Sequence, residues 1–212
     1  MAFTPPNQNH LINYLKSVHP ITINQTPINF VENAEHVGII RSVHGNLPHI
    51  QNRLSSHLKS LFAVLPAGLA RNQYANPSAT LRIQSVFANP VLFSGIASLT
   101  LNKSEVGILH AHHKKTLLNL QKLHKNTPEC VVMFLAGNIG ATAFLHLKLL
   151  CLFGMICRLP ENIIHRIALN KLYSEPNSST SWFVQIRHLC SQYDLPSPLY
   201  LLNHLLKVAI TH

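Results

Sequence analysis

The chain predicts a mainly α-helical protein, a helical bundle preceded by a small antiparallel β-hairpin or sheet remnant. Two observations carry that prediction. In the first 45 residues, short β-branched or aromatic runs (Ile21-Thr22-Ile23, Ile28-Asn29-Phe30 and His36 to Ile40) are separated by the turn-forming stretches Asn24 to Pro27 and Glu32 to Ala34. Beyond Asn46 the apolar residues Ile50, Leu54, Leu58, Leu61 and Leu65 recur three or four apart, the period of a helix face, until Pro66 and Gly68 interrupt it.

The same period predicts further helices in order: Pro77 to Phe87, Pro90 to Leu99, Lys103 to Lys125, Glu129 to Leu135, Thr142 to Cys157, Ile163 to Leu172, Ser181 to Tyr193 and Pro198 to Val208. Pro160 and the polar stretch from Ser174 to Thr180 are the linkers, with Ser179 or Thr180 as a helix N-cap. No internal repeat and no low-complexity tract is visible.

Composition narrows the chemistry. The 212 residues are 47% hydrophobic, enough for a real core, and carry 17 Lys+Arg against 7 Asp+Glu, a formal net charge of +10. Asp194 is the lone aspartate. Two-metal phosphoryl chemistry needs clustered carboxylates holding ions about 3.5–4 Å apart, so this chain is poorly furnished for it, whereas its charge suits a polyanion.

No Gly-x-Ser-x-Gly elbow and no Walker-type phosphate loop occurs. Cys130, Cys151, Cys157 and Cys190 form no Cys-x-x-Cys pair and read as reduced, mostly buried thiols. His188 and Cys190, two apart on one predicted helix, point different ways. The N-terminal residues Met1-Ala2-Phe3-Thr4-Pro5-Pro6 lack a signal-peptide pattern, and an intracellular protein, nuclear or cytoplasmic, is expected. Asn138, His146 and Lys148 interrupt the apolar run from Cys130 to Cys157, which reads as two buried helices rather than a membrane span.

The segment Lys103 to Lys125 is the clearest amphipathic helix. Stepping 100° per residue collects Val106, Leu109, Leu117, Leu120 and Leu123 on one side and Lys103, His110, Lys114, Lys115, Lys122 and Lys125 on the other. The second side is either a solvated face or a phosphate-binding one; binding phosphate would release counterions and make affinity salt-dependent. His110-Ala111-His112-His113 raises a metal possibility. His110 and His113 share a face, but no carboxylate follows at ligand spacing, so the reading is a surface histidine at 110, a hydrogen-bonded core histidine at 113, and no metal. The remaining histidines show no pairing pattern.

Several landmarks, taken in order, belong together. They are Pro27-Ile28-Asn29-Phe30-Val31, Ala34-Glu35-His36-Val37-Gly38-Ile39-Ile40-Arg41-Ser42, Leu65-Pro66-Ala67-Gly68-Leu69-Ala70-Arg71 and Pro90-Val91-Leu92-Phe93-Ser94-Gly95. Thr127-Pro128, Leu135-Ala136-Gly137, Leu152-Phe153-Gly154-Met155-Ile156-Cys157-Arg158-Leu159-Pro160, Ser181-Trp182-Phe183-Val184-Gln185-Ile186-Arg187 and Leu195-Pro196-Ser197-Pro198 follow. From about residue 20 onward the chain resembles the region after the active site in reverse transcriptases of non-LTR (LINE-type) retrotransposons. Single landmarks are weak; their order and spacing are more specific.

The resemblance implies the end of a polymerase palm with a primer-grip hairpin (1–45), a helical thumb (46–126) and a C-terminal helical extension (127–212). The Phe/Tyr-x-Asp-Asp box is absent, so no catalytic residue and no cofactor is expected here, and Mg²⁺ would belong to a palm preceding Met1. Ile28 to Phe30 and His36 to Ile40 would form the grip hairpin, with His36, Val37, Gly38 and Ile39 at the nucleic acid. Gly38 suits either close approach to a strand or an ordinary turn. Arg41, Arg53 and Lys59 are the implied contacts to the backbone of an RNA-DNA hybrid or RNA, and Lys103, Lys114, Lys115, Lys122 and Lys125 would add to them. Arg71 suits such a contact or a helix C-terminus equally. Trp182 and Phe183 fit base stacking less well than core packing. The expectation is a polymerase fragment that binds template-primer without reading sequence and does not polymerise. The alternatives are a repurposed or degenerate helical protein-interaction module and a histidine-rich metal-binding protein.

Overall fold

The computed structural model describes residues 2–3, 22–23, 26–27, 30–43, 45–64, 77–159, 163–177 and 179–209. Six short strands precede the helices: β1 (Ala2–Phe3), β2 (Thr22–Ile23), β3 (Thr26–Pro27), β4 (Phe30–Val31), β5 (Asn33–His36) and β6 (Ile39–Ser42). They form three separate pairs, β1 with β4 in parallel, and β2 with β3 and β5 with β6 antiparallel.

The β5–β6 hairpin corrects the expected one. Glu35 pairs with Ile40 and His36 with Ile39, so His36 to Ile40 is a hairpin tip and not a strand, and Asn33-Ala34, expected in a turn, opens β5. Val37 (φ 49°) and Gly38 (φ 72°) are the two loop residues. Positive φ at both is what a two-residue type I′ turn requires; Gly38 supplies it freely, and β-branched Val37 only under strain. Of the expected grip strand Ile28 to Phe30, Ile28 and Asn29 lie outside the described residues, as does Arg71.

The helices follow the apolar period closely: α1 (Leu47–Val64), α2 (Pro77–Ile83), α3 (Asn89–Leu92), α4 (Lys103–Leu120), α5 (Glu129–Ala136), α6 (Ala141–Arg158), α7 (Ile163–Ser174), α8 (Trp182–Gln192) and α9 (Pro198–Ala209). A π-helical turn, Gln84–Ala88, joins α2 to α3, and a 3-10 turn, Ile96–Ser98, follows Gly95. The helix expected from Pro90 to Leu99 is therefore broken, because Gly95 takes φ 73°.

Helix α4 also stops early. Lys122 adopts φ 54° and the Leu123 N–H reaches back to the Leu118 carbonyl, a Schellman ending that normally announces itself with glycine. Asp194 ends α8 in the same way, with Leu195 N–H on the Cys190 carbonyl. At the other end α4 carries a full capping box, Asn102 and Glu105 satisfying each other's backbone N–H groups. The N-cap of α8 is Ser181, which accepts from Phe183 N–H, rather than Ser179 or Thr180.

One contiguous core joins Ile50 of α1, Leu92 of α3, Leu109 of α4, Leu145, Leu149 and Phe153 of α6, Ala168 and Leu172 of α7, Ile186 and Leu189 of α8, and Leu202 of α9. A smaller cluster packs Leu81 of α2 and Val132 and Met133 of α5 against Leu117 and Leu118. Helix α6 is long and apolar enough to cross a membrane by length and composition, yet Ala141, Leu145, Leu149, Phe153 and Cys157 along one side of it are core. Trp182 anchors α8, its indole N–H donating to the Ala97 carbonyl at 2.8 Å, a packing role rather than a stacking platform. Two of the four thiols depart from expectation: Cys157 and Cys190 are buried, but Cys130 and Cys151 are exposed. Burial pushes the Cys157 thiol up to about 11.

Candidate nucleic-acid interface

The described cations expected at nucleic acid fall into two groups joined by α1, while Lys148, Arg158 and Arg166 are exposed elsewhere, on α6 and α7. At the hairpin, Arg41 is exposed on β6. Arg53, on α1, donates its guanidinium to the Gly38 carbonyl. Expected at a nucleic-acid backbone, Arg53 is here the fastening of the hairpin tip; its planar guanidinium presents several donors, of which the buried Nε has no partner among the described residues. Val37 stands at the tip, 85% exposed. A Cβ on Gly38 would lie 3.4 Å from Arg53, so the glycine serves both the turn and its neighbour.

The second group lies on α4. Lys103, His110 and Lys114, seven and four residues apart, align along one line of the helix, whereas Lys115 stands about 100° further round. Lys122 and Lys125 occupy the exposed turn after the helix and not its face, because of the Schellman ending. Lys59 is exposed on α1. None of Arg41, Lys59, Lys103, Lys114, Lys115, Lys122 and Lys125 forms an ion pair among the described residues, where Lys171 pairs with Glu175 at 3.1 Å and His110 lies in hydrogen-bond contact with Glu129 at 2.8 Å. Arg82, outside the Lys103 to Lys125 helix wheel, is exposed on α2 beside α4. Its signal was a lone cation in the apolar setting Leu81-Arg82-Ile83.

Between the groups runs a buried polar seam that the sequence did not disclose. His49, Arg53 and His57 are spaced by four along α1. His49 and His57 are wholly buried, against the expectation that the scattered histidines lack partners. The Nδ1 of His57 lies 2.9 Å from Nε2 of His112 on α4, so one ring donates and the other accepts. Burial, with His112 and His113 nearby, holds His57 down at about 4. His112 is likewise lowered by burial and by Lys115.

His113 is buried as expected, but among the described residues neither ring nitrogen has a hydrogen-bond partner, and its ring meets Phe93 edge-on at 6.0 Å. Burial first, then His110 and His112, lowers it to about 4. His110 is half-buried and pairs with Glu129, a partner nineteen residues away that helix spacing could not show. Among the described residues no three His, Cys, Asp or Glu side chains gather as a metal site would require.

Elsewhere a pocket of about 210 Å³ opens between α6 and α8, walled by Leu99, Leu101, Leu145, Leu149 and Leu189 with His146, Gln185 and His188 among its lining. It holds no nucleophile-base pair. His188 is exposed while Cys190 is buried, as their spacing predicts. Comparison with models of protein families, with curated proteins and with solved structures finds no match to this chain.

Proposed function

We propose that this chain holds a nucleic-acid duplex through its phosphates: a thumb-like portion of a non-LTR reverse transcriptase that binds RNA-DNA hybrid or RNA without reading sequence and, on its own, does not polymerise. The observation that carries the reading is how the few carboxylates are used. Glu105 is buried in the α4 capping box and also accepts from Asn46, Glu129 faces His110, and Glu175 faces Lys171. Among the described residues the lysines of α4 and its C-terminal turn form no ion pair, which leaves them able to contact phosphate.

The order of elements supports the same reading: a hairpin, then α1, then the helical bundle, as the resemblance implies. Among the described residues no group of carboxylates gathers as a two-metal clamp would require. Mg²⁺ chemistry would thus be the business of a palm, and the site of action would be intracellular, in nucleus or cytoplasm. The test is binding to two hybrids of equal length and unrelated sequence, with primer extension measured alongside. Equal affinities and no extension are expected; a large sequence preference would overturn the backbone-holding view.

A second reading has its own observation. Phe62, Phe134 and Ile163 are 65%, 84% and 75% exposed, as on a helical module that docks another protein. In that case hybrid affinity would be absent or indifferent to salt.

A further inference from the structure

His49 sits where three pieces of chain meet. Its Nδ1 accepts the Ile40 N–H of β6 at 3.2 Å, and its Nε2 lies 3.3 Å from the Ser94 carbonyl, to which it must donate. Only the neutral ring protonated at Nε2 satisfies both. The surroundings leave little slack: a Cβ on Gly95 would stand 2.9 Å from the Ile39 side chain and 3.4 Å from His49 Nε2. The hairpin, α1 and the turn after α3 are thus closed around one imidazole, and Arg53 adds a second fastening at the Gly38 carbonyl.

We propose that this joint is a proton-operated clamp, in which neutral His49 docks the Asn33–Ser42 hairpin on the helical body and protonation at Nδ1 releases it. A protonated Nδ1 would confront the Ile40 N–H donor to donor. The new charge would also stand against Arg53 from α1 and Arg41 from β6, opposed by the Ser94 carbonyl at Nε2 and by Glu35 of β5. Burial, then Arg53, already hold the docked imidazole below its ordinary value of 6.5. The sign follows: a base whose docked pKa is depressed favours docking above its free value, and docking weakens as pH falls from there toward the docked value, by up to tenfold per pH unit.

The inference does not depend on what the hairpin touches. Elsewhere on the seam His57, His112 and His113 respond to acid too, so the readout must separate local release from general loosening. Hydrogen exchange of the full chain, normalised to intrinsic rates, is measured at pH 7.5, 6.5 and 5.5 together with the His49 ring titration by NMR. The Ile40 amide should lose up to about tenfold in protection across that range with a midpoint matching the His49 titration, whereas the amides of Leu149 and Phe153 in α6, which open only with the global unfolding that His57 and His113 promote in acid, should follow the chain's urea stability at each pH. His49→Asn offers a non-titrating acceptor at the Nδ1 position and should hold the hairpin with no such pH dependence. Protonation of His49 without loss of hairpin protection would overturn the clamp, as would an unchanged pH profile in His49→Asn. If the variant fails to dock at any pH, coincidence of the two wild-type midpoints supports the clamp and their separation overturns it.

Discussion

At the scale of single residues, strain and buried imidazoles are the features with consequences. Val37 holds a β-branched side chain at φ 49° while exposing 85% of its surface, so no packing gain offsets the strain. Val37→Asn, which tolerates the left-handed region, should stabilise the hairpin by about 1 kcal/mol, read as roughly fivefold greater protection of its amides in hydrogen exchange. If Val37 serves the proposed interface, the same change should weaken hybrid binding. His113 gives a prediction about pH. With the buried ring at about 4 against 6.5 when unfolded, the unfolded chain binds the extra proton first. Stability is therefore full above pH 6.5 and declines toward pH 4, by on the order of 3 kcal/mol from this group. Urea unfolding of His113→Leu, which removes two unpartnered ring nitrogens, should show stability at pH 7 at least equal to the parent and a shallower acid decline.

At the scale of elements, the legible and illegible parts of the sequence separate by physical cause. The starts of α4, α7 and α9 fall at the residues where their periods begin, because an apolar stripe must face a core wherever that core comes from. Where α4 ends was not legible, since a left-handed residue closes it and Lys122 gives no glycine signal. The seam of His49, Arg53 and His57 was hidden for a related reason: each partner (Ile40, Gly38, His112) lies on another element, and a histidine's burial depends on partners that no spacing within α1 reveals. The hairpin was legible in kind but shifted in register, as the glycine fixed the turn and β-propensity alone did not. For α4 the two faces should behave differently on truncation. Leu117→Ala, at a position with no exposure, should cost about 2–5 kcal/mol in chemical denaturation, whereas Lys115→Ala should stay within about 0.5 kcal/mol.

At the scale of the whole molecule, one apolar core joins α1, α3, α4 and α6 to α9, a smaller one holds α2 and α5 to α4, and exposed cations lie on α4, α1 and β6 as well as on other helices. A net charge of +10, with Glu105 and Glu129 engaged beside the α4 lysines, is the electrostatic ground for the polyanion proposed as partner. Phe134, Ile163 and Tyr173 are large apolar side chains left exposed on α5 and α7. The direct measurement is the salt dependence of RNA-DNA hybrid binding, compared between the parent chain and a variant with Lys114, Lys115, Lys122 and Lys125 replaced by Ala. A duplex held through phosphates gives a negative slope of log affinity against log salt, and losing the four cations should reduce its magnitude by about 3–4. A parent affinity that does not fall with salt, or a variant slope equal to the parent's, would contradict the account.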